Sequence, residues 1–221
     1  SSTVLMMWLW IAMAPLLASA GFMRSHQMLK VDFHQELRVC NAFASQSAFE
    51  VAKGSELLSS APLKYMQCQS FSKEFKAGDN LEFKQGNKTA GVFTVEGLPQ
   101  HDAIFMLLVH KSQDPGQSVS FMSHVFAPSE TAQIAVIDTY NGAPVNLSIA
   151  EASEPTASEA LVFGTVTGIN PGAYDIVLDS KDHPSHHFEA KQKECYIVVR
   201  TGYSCQSENC SYPQQILVYP Q

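Results

Sequence analysis

Ala103-Ile104-Phe105-Met106-Leu107-Leu108-Val109 and Cys195-Tyr196-Ile197-Val198-Val199 are apolar runs separated by clusters of Gly, Pro and Asn. Runs this short, bounded by turn formers, read as central strands buried on both faces. Each is preceded by a shorter strand-like segment, Phe93-Thr94-Val95-Glu96 in one case and Phe188-Glu189-Ala190-Lys191 in the other. Each is followed by a closing strand and a proline. These are Val119 to Phe126 before Pro128, and Gln215 to Tyr219 before Pro220.

The correspondence continues upstream. Leu37-Arg38-Val39-Cys40-Asn41-Ala42-Phe43 matches Ile134-Ala135-Val136-Ile137-Asp138-Thr139-Tyr140-Asn141. Phe49-Glu50-Val51 matches Val145 to Ile149, and Lys76 to Lys84 matches Asn170 to Leu178. Ordered self-similarity of this kind marks a duplicated structural unit. Each unit offers about seven short strands, several with apolar and polar residues alternating, the pattern of a sheet with one buried face. The chain therefore reads as all-β: two tandem Ig-like/Greek-key β-sandwiches at 36–128 and 134–221, joined near 127–133. The polar stretches 54–62 and 150–161 read as connections able to hold a short helical turn.

The first residues differ. From Thr3 to Met23 no side chain is charged, and the run carries Trp8, Trp10, Leu16 and Leu17. About 20 apolar residues suffice to span a bilayer, so 1–24 reads as a hydrophobic helix preceding the sandwiches. The same segment ends in Ala18-Ser19-Ala20, the small-residue pattern of a cleavable export signal. A retained anchor and a removed signal both remain open. Pro15 would kink the helix, which membrane helices tolerate. Arg24, Lys30 and Arg38 after the segment favour a cytoplasmic-like side for the C-terminal part, whereas the cysteines favour the opposite side.

The 221-residue chain is 45% hydrophobic and only 16% charged, with a formal net charge of −7. That composition fits a folded protein. The acidic balance argues against a nucleic-acid partner, which demands a surplus of Lys and Arg. Five cysteines are present. Cys205 and Cys210 could close a small loop, Cys40 and Cys68 could join two strands of the first sandwich, and Cys195 then remains a buried free thiol. A zinc site is disfavoured because paired C-x-x-C knuckles are lacking. Asn87, Asn146 and Asn209 begin glycosylation sequons.

Chemistry is sparsely signalled. His183, His186 and His187 lie near Asp179 and Asp182, a weak candidate for a divalent-metal site against the simpler reading of a solvated loop. His101-Asp102 sits in a turn without an evident nucleophile, and His110 and His124 read as buried, hydrogen-bonded residues. No nucleophile elbow, Walker loop, dinucleotide fingerprint or zincin motif occurs.

Leu37-Arg38-Val39-Cys40-Asn41-Ala42, Tyr65-Met66-Gln67-Cys68, Val125-Phe126-Ala127, Val136 to Tyr140 and Val199-Arg200-Thr201-Gly202 together resemble uncharacterised proteins of dinoflagellate-type algae. More distantly, the tandem units are similar to a domain of unknown function in exported surface proteins. The resemblance covers roughly residues 36–221 and brings no catalytic residues with it. Cys40 and Cys68 fall at matching positions, which supports their pairing. In such an alga the apolar segment would suit the thylakoid membrane, with the sandwiches in the lumen. The expected role is then a non-enzymatic accessory subunit without a cofactor of its own. It would dock on a larger membrane complex such as a photosystem, with Trp8 and Trp10 anchoring the helix or touching pigments. The alternatives are a secreted or cell-surface adhesion module and a metal-dependent hydrolase built on His183, His186 and His187.

Overall fold

Alternating and fully apolar segments can satisfy their backbone groups only by pairing with other strands, and pairing is what a computed structural model of the chain shows. It describes residues 33–112, 118–180, 184–204 and 211–221. The segment expected as an N-terminal helix, with Trp8, Trp10, Leu16 and Leu17, the residue His183 and the pair Cys205 and Cys210 lie outside the described residues. Within them sixteen strands form and no helix does. Among them, too, no helix is long and apolar enough to cross a membrane.

The first half holds β1 (Gln35–Asn41), β2 (Glu50–Lys53), β3 (Glu56–Leu57), β4 (Cys68–Phe71), β5 (Asn80–Gln85), β6 (Lys88–Thr94), β7 (Ala103–Lys111) and β8 (Val119–Phe126). The second holds β9 (Ala132–Asp138), β10 (Leu147–Glu151), β11 (Ser158–Leu161), β12 (Val166–Ile169), β13 (Gly172–Leu178), β14 (Ser185–Ala190), β15 (Cys195–Thr201) and β16 (Gln215–Tyr219). The first half forms sheets of order β4-β1-β7-β8 and β3-β2-β5-β6; the second forms β12-β9-β15-β16 and β11-β10-β13-β14. Adding eight to each label turns one half into the other.

Three details depart from the sequence reading. Each half has eight strands rather than about seven. The stretches 54–62 and 150–161 hold β3 and β11 instead of helical turns. Gly54, with φ of 59°, opens the two-residue loop that folds β3 back on β2, a conformation glycine adopts without a Cβ penalty. The central pairs are also parallel, β1 with β7 and β9 with β15, unlike an all-antiparallel immunoglobulin sandwich. Parallel strands need a long crossover, and here the opposing sheet supplies it.

Parallel pairs favour positions covered on both faces, and these four strands are so placed. Leu37, Val39, Leu107 and Val109 face the interior of the first sandwich. Ile134, Val136, Tyr196 and Val198 face that of the second. The intervening residues Cys40, Met106, Leu108, Ala135, Ile137, Ile197 and Val199 meet in a third core between the halves. Residues Phe33–Gln221 thus make one compact unit.

Polar ties ring this third core. Arg38, only 7% exposed, donates to Glu194 at 2.7 Å and to the Cys195 carbonyl at 2.9 Å, and its Nε reaches Glu36 at 3.0 Å. Thr201 donates to the Ala42 carbonyl at 3.1 Å, and the Ser70 and Tyr219 hydroxyls meet at 3.0 Å. Cys40 and Cys68 form a disulfide between directly paired positions of β1 and β4.

Two measurements test these ties. Closing a loop with a sequence separation of 28 stabilises by about 3–4 kcal/mol in the chain-entropy treatment. Cys40→Ala with Cys68→Ala should therefore lower Tm by about 10 °C in calorimetry. The second concerns acid. Burial opposes the charge on Glu36, but hydrogen bonds from Arg38 and Ser70 prevail and hold its pKa below the ordinary 4.5. Its contribution is complete above that value and is lost as pH falls through the lower folded-state pKa. Tm should drop on acidification below about 4.5, and Glu36→Gln should flatten part of that slope.

Candidate functional site

Sandwich edges close where facing side chains fill the space between the sheets, and in the first half they close at one end only. There Gly91 of β6 lies against Val119 and Phe121 of β8, so closely that a Cβ on Gly91 would collide with Val119 and crowd Phe121. Phe83 and Phe93 pack their rings on Phe121, with centroids 4.8 and 5.8 Å away. Toward the other end the sheets part, leaving a cleft of about 420 Å³ between the end of β6 and the end of β8. Its floor is the core itself, Leu37, Leu81 and Leu107, exposed by 5%, 0% and 1%. Phe75, Phe93 and Phe105 line its walls. Ser123 and Glu96 supply its polar groups, and Val125 borders it at 44% exposure; the Thr94 hydroxyl instead donates to Asn80 at 2.7 Å, and the His124 ring packs on Phe126 on the other face of β8. Burial lowers the pKa of His124 below 6.5, so its imidazole is neutral near pH 7. Among the described residues Glu96 is the one acidic lining residue, and no Lys or Arg lines the cleft.

The second half shows how the same space looks when filled. The pairing of Leu37 with Phe105 is repeated by Ile134 with Tyr196. Leu81 opposite Phe93 is repeated by Tyr174 opposite Phe188, and Leu107 opposite Ser123 by Val198 opposite Val218. Tyr174, Phe188 and Tyr196 are 7%, 5% and 2% exposed, with successive ring centroids 6.0 and 5.2 Å apart. Their hydroxyls are satisfied. Tyr174 donates to the Asn170 carbonyl at 3.0 Å; Tyr196 donates to the Glu189 carbonyl at 3.1 Å and accepts from the Lys191 N–H at 2.9 Å. With Leu, Phe and Ser in place of Tyr, Tyr and Val, the first half lacks the atoms that would occupy its cleft.

Among the described residues, the groups singled out in the sequence stand apart from one another; His183 and Asp182 lie outside the described residues. His186 and His187 are neighbours on β14, and successive strand residues point to opposite faces. His187 meets Asp175 at 2.8 Å in solvent, while burial and then His187 lower the pKa of half-buried His186. Among the described residues no group of three or more His, Cys, Asp or Glu is placed to hold a metal ion. The Asp102 carboxylate accepts the His34 N–H at 2.8 Å, and His101 turns to the Asp102 carbonyl at 2.7 Å. His110 is half-buried against the Lys111 carbonyl. Cys195 is a buried free thiol, and burial pushes its pKa up to about 11, far from the thiolate needed for nucleophilic chemistry. Asn87 and Asn146 are exposed.

One buried charge went unnoticed in the sequence. Arg200, 1% exposed, donates to Asp138 at 2.9 Å, to the Ala143 carbonyl and Gln214 at 2.6 Å each, and lies 4.3 Å over the Tyr140 ring. Fully partnered, it plugs the end of the second sandwich. No protein-family model matches the chain, and no curated protein matches it.

If the cleft is packing left out, restoring the second half's side chains should stabilise the fold. Leu81→Tyr with Ser123→Val should gain about 0.5–2 kcal/mol, the usual yield of cavity filling, read as a higher Tm. A lower Tm would mean that the two halves do not share this geometry.

Proposed function

We propose that the chain is a non-catalytic accessory protein of a membrane assembly, held at the membrane by its N-terminal apolar segment and docking through the free edge of its first sandwich. The observation that carries this reading is β8. It is an edge strand eight residues long, Val119-Ser120-Phe121-Met122-Ser123-His124-Val125-Phe126, with no Lys, Arg, Asp, Glu or Pro. Edge strands of monomeric proteins are ordinarily blunted by charge, proline or shortness, because an open ladder recruits another strand. β8 carries none of these devices, and Met122 and Val125 are 38% and 44% exposed along it. Strand addition gives backbone hydrogen bonds for affinity and side-chain contacts for selectivity.

The three-core body supports a scaffolding role, since both sandwiches move as one and can transmit a docking geometry. In the algal reading the assembly is a thylakoid complex such as a photosystem, and the sandwiches lie on its lumenal side.

The test is purification of the tagged full chain from native membranes in mild detergent. The wild-type chain should run with a larger complex, and Met122→Lys, at an exposed position, should release it with Tm unchanged. Recovery of the wild type only as a free species would overturn the reading. A mature N-terminus at Gly21 with sugar on Asn87 or Asn146 would favour the secreted adhesion module instead.

A further inference from the structure

Beyond docking at the β8 edge, we propose that the cleft of the first sandwich is a binding site for a neutral single-chain amphiphile, whose hydrocarbon tail enters between the two sheets. Four observations converge. The cleft ends on Leu37, Leu81 and Leu107, which belong to the sandwich core, so its occupant reaches core depth rather than lying across a surface. Its walls are aromatic and aliphatic, and apolar cavities of this kind stay dry and take up apolar molecules. The same positions in the second half are filled by Tyr174, Tyr196 and Val218, so this fold needs no void here. Finally, the polar groups of the lining are few, the Ser123 hydroxyl on the face of β8 shared with Phe121 and the carboxylate of Glu96.

Size and charge narrow the ligand class. A dry cavity of 150 Å³ holds benzene, so 420 Å³ suits about 17 non-hydrogen atoms. An unbranched tail of that length matches this volume. Glu96 repels an anionic head, and no Lys or Arg among the described lining residues would pair with one. A hydroxyl head can both donate to and accept from Ser123.

The experiment uses the full chain in lipid nanodiscs, with 1-tetradecanol and tetradecanoate as probes in equilibrium dialysis. The filled variant, Leu81→Tyr with Ser123→Val, serves as background, since it keeps the membrane segment. Wild type should bind one tetradecanol saturably beyond that background, and tetradecanoate about tenfold more weakly. Glu96→Gln should narrow that gap. Equal uptake by wild type and a folded filled variant would overturn the proposal. So would loss of the membrane complex in the filled variant with no saturable tetradecanol binding, which would make the cleft part of the docking surface. Because Met122 does not line the cleft, Met122→Lys should bind tetradecanol normally whether or not it docks. Failure of the ligand proposal is thereby separated from failure of the docking reading.

Discussion

Four strands covered on both faces, β1, β7, β9 and β15, are the constraint from which the rest of the molecule follows. A backbone buried from two sides has no water to turn to, so every N–H and C=O along it must find a strand partner. Central positions in four-stranded sheets meet that demand, and flanking strands, antiparallel at the outside, complete the ladders. Once two such sheets meet back to back, their outer faces belong to separate sandwiches and their inner faces to a common core. Neither sandwich can then separate without exposing Met106, Leu108, Ile197 and Val199 to solvent. Arg38 is tolerated beside that core because both its carboxylate partners and the Cys195 carbonyl accompany it. A buried cation lacking such partners would cost several kcal/mol.

The two halves share one strand order but differ in the side chains placed on it. At the end of the first strand, Asn41 accepts the Phe43 N–H at 2.8 Å and Asp138 accepts the Tyr140 N–H at 2.9 Å, the same turn built from two side chains. Beyond that turn they diverge. Asn41 gives its amide to the Leu63 carbonyl, a neutral bond that suits its complete burial. Asp138 instead recruits Arg200, which stands on β15 opposite it, where the first half has Val109 opposite Asn41. An apolar contact in one half is thus a charged plug in the other, with the backbone pairing unchanged.

How much of this was legible in the sequence depended on whether the signal was local. Continuous apolarity at 103–109 and 195–199 located central strands, because two-sided burial leaves no polar face. The ordered matches from Leu37 and Ile134 onward exposed the duplication, since equivalent strands must keep equivalent burial. β3 and β11 escaped notice because both are short and exposed for most of their length, so no apolar pattern marks them. The parallel pairing was equally silent: apolarity records how many faces are covered but not the direction of the neighbour. Arg38 and Arg200 look like ordinary charges until register sets them beside Glu194 and Asp138. The cleft was the least visible of all, being a difference in side-chain size between Leu81, Phe105, Ser123 and Tyr174, Tyr196, Val218 that means nothing before the halves are aligned strand by strand.

That size difference bears on how each half is held together. A half that leaves a void in its core forgoes dispersion contacts along the lining, a loss of about 1 kcal/mol for each methyl-sized gap. The second half has no such gap at Tyr174, Phe188 and Tyr196, and it gains hydrogen bonds from both tyrosine hydroxyls. The first half carries the Cys40–Cys68 disulfide, which ties an edge strand to the strand whose Leu37 forms the cleft floor. A covalent link between β1 and β4 restrains the unfolded chain without filling any space, so it offsets the missing packing while leaving the cleft open. The first half thus adds a covalent link to the packing of its core.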